Sequence, residues 1–234
     1  QALGPSIRAV IVTDFEKTSA TALVEGVLDK EAGGAIAVLR SLVKHQAGDR
    51  LDPILMAGST VLVDDDLCER FLERAVQWVK DRGLQVTFRD QVHDGYHEIH
   101  GRGKHWVPRY YSLMITELFQ EGFTKCLVGT RGLLGEGWDA SRINVLVDMT
   151  TVTTSMSINQ LRGRSIRLDK EWKEKVANNW DIVCVADEFT KGFDDYLRFK
   201  EKHKQLYGVC DDGAIERGVG HVHAAFNDVR PEGI

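Results

Sequence analysis

The sequence predicts an α/β fold in which a mostly parallel sheet is flanked by helices. Three observations carry that prediction. Apolar runs such as IRAVIV and INVLV recur without the alternation of a half-exposed strand, the pattern of strands buried on both faces. Stretches of helical period separate these runs. Apolar residues make up 43% and charged residues 28% of the chain, the balance of an ordinary soluble globular protein.

The elements follow in order. Residues 7–14 (IRAVIVTD) are expected as a buried strand. Residues 17–46 carry a helical period, with a possible break at Gly33-Gly34. Residues 52–58 are strand-like. Residues 64–83 make a strong helix: acids open it, Leu67, Phe71, Ala75, Trp78 and Val79 form one apolar face, and Gly83 closes it. Residues 84–90 alternate like a strand. Residues 89–106, rich in histidine and glycine, are expected to form a long loop. Residues 107–122 are helical, with Pro108 tolerated in the first turn. Residues 125–130, 143–149 and 181–187 are further buried strands. Helices fall around 156–167 and 192–206, and the glycine-rich segment 207–234 is a tail.

Lys and Arg total 30 against 35 Asp and Glu, a net charge of −5. This excludes a uniformly basic coat for nucleic acid and leaves room for a local basic groove. Cys68, Cys126, Cys184 and Cys210 are far apart and form no CxxC pair, as expected of reduced cysteines in a cytoplasmic protein. No apolar run approaches the ~20 residues of a membrane span, and no signal peptide is visible. Without an initiator methionine, the chain is expected to be processed or to be a piece of something longer.

Two stretches carry chemistry. In CLVGTRGLLGEGWDASRINVLVD (126–148) a strand runs into a turn with Gly132, Gly135 and Gly137, followed by Asp139. Such glycines permit close approach of a ligand or a second backbone, and a carboxylate after them can bind ribose hydroxyls. A tight turn capped by Asp139 explains the same residues. In INQLRGRSIRLD (158–169), Gln160, Arg164 and Arg167 are spaced i, i+4, i+7, one face of a helix. Paired guanidiniums suit phosphate oxygens. Gly163 inside that helix costs about 1 kcal/mol against alanine, which makes sense if something must come close.

The order G-T-R-G-x-x-G-E-G-x-D-A, a strand, then Q-x-x-G-R-x-x-R resembles motifs V and VI of the superfamily 2 helicases, in the second of their two RecA-like domains. RAVIVTDFEKTSA is similar to the motif IV strand and its loop. The resemblance covers roughly residues 7–206 and implies one RecA-like domain over 1–206, of the P-loop NTPase type, with an insertion at about 60–106 between motifs IV and V. It implies that Arg164 and Arg167 are arginine fingers for the γ-phosphate of ATP, worth about 10³–10⁵ in rate, and that Gln160 supports the nucleotide or attacking water. Gly137, Asp139 and Gly163 would lie at the ATP. Thr130, Arg131, Thr13 and Ser59 would contact nucleic acid, DNA rather than RNA.

No P-loop occurs in the chain: its one Gly-Lys, Gly103-Lys104, is followed by His105 and has Glu98 where the first glycine belongs. Asp187 and Glu188 resemble a Walker B ending, but they follow motif VI instead of preceding motif V and are read as a strand end. ATP and Mg²⁺ are therefore expected on an N-terminal RecA-like domain of a longer protein, and the isolated domain is expected to be inactive. Two alternatives stand beside this reading. One is a helicase-like binding module without ATPase function. The other is a dinucleotide-binding oxidoreductase, motivated by GEGWDA as a G-x-G-x-x-A fingerprint, although the glycines do not open directly from the strand.

His93, His97, His100 and His105 lie within thirteen residues of one another, beside Asp94 and Glu98. They have donors for zinc or nickel, but match no metal motif, and no metal is assigned. Trp106 and Tyr110, interleaved with Arg102, Lys104 and Arg109, read more simply as a solvated loop than as a strand-binding patch. Trp138 is read as core.

Overall fold

A computed structural model describes residues 6–16, 34–134, 138–186, 190–210 and 212–227. The chain forms two compact units: Gln1–Thr150 with Arg164–Trp180, and Thr151–Gly163 with Asp181–Ile234. Tyr207, where the tail was expected to begin, lies within the second unit.

The first unit is built on β1 (Ala9–Thr13), α1 (Ala35–Val43), α2 (Gln46–Asp49), β2 (Ile54–Ala57), β3 (Thr60–Asp64), α3 (Asp65–Asp81), β4 (Thr87–Val92), β5 (Tyr96–Arg102), α4 (Pro108–Glu121), β6 (Cys126–Thr130), α5 (Arg131–Leu134) and β7 (Val145–Asp148). The sheet order is β4-β5-β3-β2-β6-β1-β7-β8, where β8 is Asn178–Asp181. β6 lies parallel to β2 and to β1, and β1 parallel to β7. β1, β2 and β6 are almost wholly buried, as their unbroken apolar runs require, and β7 alternates buried and half-buried residues.

The other flank departs from expectation. β2 turns back at once through Gly58 and Ser59 into β3, with Ala57 opposite Thr60, and Gly58 takes φ +55°. β3, β5 and β4 continue antiparallel, so the sheet is mixed. The expected loop at 89–106 is largely the hairpin β4–β5. Its outer strand, β4, overlaps the strand expected at 84–90 but starts and ends later, and it is mostly exposed, so apolar pattern did not mark its second half.

α1 covers one face of the sheet, packing Ala35, Ile36 and Leu39 on Leu55, Leu62, Tyr96 and Val128. α3 packs on β3, β4 and β5. Asp64 caps α3, its Oδ1 accepting from Asp66 N at 3.1 Å. α4 begins at Pro108 and ends on Gly122 at φ +89°, a left-handed cap. Of the expected helix over 17–46, α1 (Ala35–Val43) is seen, and α2 begins only at its last residue. The first part of the expected helix, 17–33, lies outside the described residues.

α6 (Ser155–Ser165) runs across the boundary between the units. The second unit also holds α7 (Asp194–His203), the hairpin of β9 (Tyr207–Val209) and β10 (Ile215–Arg217), and two 3-10 turns. Its core is Tyr196, Phe199 and Val219, packed with Val183, Val185 and Phe193. Among the described residues, the strand expected at 181–187 is not found. β8 ends at Asp181, and residues 182–186 have no regular structure. Val183 and Val185 are apolar because they join that small core.

Candidate functional site

The carboxyl ends of the parallel strands bring several predicted residues to one edge of the first unit. Thr13 ends β1 and pairs in register with Thr130, which ends β6. Arg131 follows, exposed, at the start of α5. Ser59 is exposed in the β2–β3 turn, one strand away from β6. Thr13 itself is 1% exposed, and its hydroxyl donates to Phe15 O at 2.9 Å. It shapes the edge instead of facing outward. Thr60 Oγ1 donates to Glu16 Oε1 at 2.8 Å, tying the segment after β1 to the hairpin.

Gly129 serves packing. A Cβ there would sit 2.6 Å from Leu134 Cδ1 and 2.8 Å from Met56 O, so the close approach is between this chain's own parts. Gly135 and Gly137 lie outside the described residues, as do Asp187 and Glu188. Beyond them Trp138 is buried, and its Nε1 donates to Thr116 Oγ1 on α4 at 2.7 Å. This is core, as expected. Anchoring Trp138 leaves its neighbour Asp139 facing solvent.

Arg167 donates to Asp139 Oδ1, and both side chains are well exposed, at 49% and 68%. Arg164 is only 9% exposed. Burial lowers its guanidinium pKa, the neighbouring Arg167 charge adds to this, and Asp139 opposes it. Two guanidiniums and one carboxylate therefore converge. They do so by a route the periodicity did not foresee. α6 stops at Ser165, so Arg167 is not on the helix with Arg164. A turn brings it round, with Arg167 N donating to Arg164 O at 3.4 Å.

The residues that hold this turn escaped the sequence reading. Lys175 Nζ donates to Arg167 O at 2.7 Å and to Ser141 O at 2.6 Å. Ser141 Oγ donates to Asp169 Oδ2 at 2.6 Å. Asp169 also accepts from Glu171 N and Trp172 N, and Arg142 lies 3.7 Å from it. The Ser141 bond foremost, with these partners, holds the Asp169 carboxyl below its ordinary pKa. The segment after α6 is thus clamped to the loop that carries Asp139. Asp169 stands at the end of the arginine-rich stretch, but nothing in its spacing announces a partner twenty-eight residues earlier.

Gln160 is exposed on the part of α6 that belongs to the second unit. Gly163 faces open space: a Cβ there would meet nothing within 4 Å. Among the described residues, no protein atom therefore accounts for a glycine inside the helix. The third arginine, Arg162, has a different task in the second unit. It donates to Asp181 Oδ2 at 2.6 Å, and Lys202 Nζ reaches Asp181 Oδ1 at 3.3 Å.

No helix among the described residues is long and apolar enough to cross a membrane. No protein-family model, curated protein or solved structure matches the chain.

Proposed function

We propose that the chain is the second RecA-like domain of a superfamily 2 ATP-dependent DNA helicase or translocase. The observation that carries this reading is the convergence of Arg164, Arg167 and Asp139, the residues assigned by motif spacing, within one compact unit. The strand-end cluster of Thr130 and Arg131 supports it, since ligands of open α/β sheets sit beyond the carboxyl ends of strands.

ATP and Mg²⁺ are held by the N-terminal RecA-like domain, which supplies the P-loop. On closure, Arg167 exchanges the exposed Asp139 carboxylate for a γ-phosphate oxygen and stabilises the charge of the transferring phosphoryl group. The released Asp139 is then free for a ribose hydroxyl. Arg164, being buried, orients the segment and adds positive potential. Gln160 and Gly163, which the motif resemblance also assigns to the ATP, belong to the second unit and are given no part in this arrangement. Nucleic acid runs past Thr130, Arg131 and Ser59.

In the protein that carries both domains, Arg167→Ala should lower ATP turnover by about 10³-fold or more, with nucleotide affinity changed less than tenfold. Turnover within threefold of wild type would sink the finger role. The chain alone should show no ATPase activity but should bind single-stranded DNA in a salt-dependent way, weakened by Arg131→Ala.

A further inference from the structure

The β4–β5 hairpin separates the clustered histidines by face. Alternate residues of a strand point to opposite sides. Tyr96 goes to the α1 side, where it joins the core. His93 and His100 flank Glu98, their Nε2 atoms 3.7 and 3.8 Å from its carboxylate oxygens. His97 goes to the other side, toward α3. Val92 pairs with His97 and Asp90 pairs with Ile99, so Asp90 lies diagonally from His97 on the same face. Cys68, in the first turn of α3, packs above them.

We infer that Cys68, Asp90 and His97 form a zinc site. One donor atom from each of the three residues lies within 4.8 Å of the others. The donors come from three elements, α3, β4 and β5, so the fold and not chain proximity assembles them. Thiolate, imidazole and carboxylate together are a borderline-soft set that suits Zn²⁺ and not Mg²⁺ or Ca²⁺. In a tetrahedron with zinc bond lengths, ligand atoms stand roughly 3.5 Å apart, so the triad needs only a small adjustment. The 2.6 Å contact of His97 Nδ1 with Asp90 Oδ2 opens by roughly 1 Å as the ion enters.

Burial favours the site on one side and access on the other. Cys68 is 3% exposed, which shields the thiolate, while Asp90 and His97 are partly open to solvent and give the ion a route in. Without metal, burial and the nearby Asp90 and Asp65 push the Cys68 thiol up to about 11. A bound dication reverses that bias, because a coordinating thiol loses its proton. Three protein donors leave the fourth position to water. The site is independent of the proposed helicase role.

The test is a Co²⁺ titration of the reduced full chain, followed in the near ultraviolet. The expected result is a thiolate-to-cobalt charge-transfer band that saturates at one equivalent, is bleached by Zn²⁺ and is unaffected by excess Mg²⁺. Cys68→Ala should abolish the band, and Cys184→Ala should leave it intact. His97→Gln and Asp90→Asn alter partly exposed side chains and keep the test decisive if Cys68→Ala fails to fold; each should weaken binding at least tenfold. No band in the wild type, a band that survives Cys68→Ala, or unchanged affinity in both hairpin variants overturns the site. Cobalt binding without a thiolate band would place the ion away from Cys68 and likewise overturns it.

Discussion

Asp64 shows how a single side chain can set the pH response of the fold. It is fully buried at the end of β3, and its Oδ2 has no hydrogen-bond partner among the described residues. Burial first, then the charges of Asp49 and Asp65, push its pKa up to about 7. A raised carboxyl pKa destabilises the folded state as pH climbs from about 4, where the unfolded chain ionises, to 7, and the full penalty remains above that. Asn caps a helix as well as Asp does. Asp64→Asn should therefore match wild type below about pH 4 and be more stable at pH 8, on the order of 2 kcal/mol or more, in urea unfolding across that range. At the same scale, Arg167 and Asp139 could be named from motif spacing. Asp169, Ser141 and Lys175, which hold them in place, could not, because hydrogen bonds across a sheet end leave no spacing along the chain.

Among the elements, α6 joins a legible motif to an illegible geometry. Its period was readable; its end at Ser165, which throws Arg167 off the helix, was not. Gly163 faces open space, so Gly163→Ala should raise the chain's stability by about 1 kcal/mol, seen as a higher melting temperature. A lower melting temperature would mean that the helix packs closely there after all. The helices α3 and α4 were readable because each has a strong apolar face and a recognisable terminal signal: acids and the Asp64 cap for α3, Pro108 and Gly122 for α4. Of the β4–β5 hairpin, β4 was partly readable in the alternation at 84–90, whereas β5 was hidden because it is identified by its pairing with β3 and β4 and not by composition. The 181–187 run misled for the converse reason: its valines are half-buried, but against the small cluster around α7 and not in a sheet.

At the scale of the whole molecule, stability should concentrate in the parallel centre of the sheet. Leu55 on β2 is fully buried between α1 and the neighbouring strands. Leu55→Ala should cost about 2–5 kcal/mol, lowering the urea midpoint. Leu168, 92% exposed, should cost less than about 0.5 kcal/mol when changed to alanine. Equal losses at the two positions would contradict the core described above. The net charge of −5 is distributed so that Arg131 can still face solvent at the strand ends, since a total fixes no local potential.

The sequence by itself determined the α/β class, the parallel buried strands, the main amphipathic helices and the two linked motifs, because each is written in local periodicity or short fixed spacing. Tertiary structure alone decided the antiparallel flank, the turn that returns Arg167 to Asp139, and the meeting of Cys68, Asp90 and His97. Those features depend on which strand pairs with which and on which face a residue falls. Such choices are made by burial and hydrogen bonding between distant segments, and no local pattern records them.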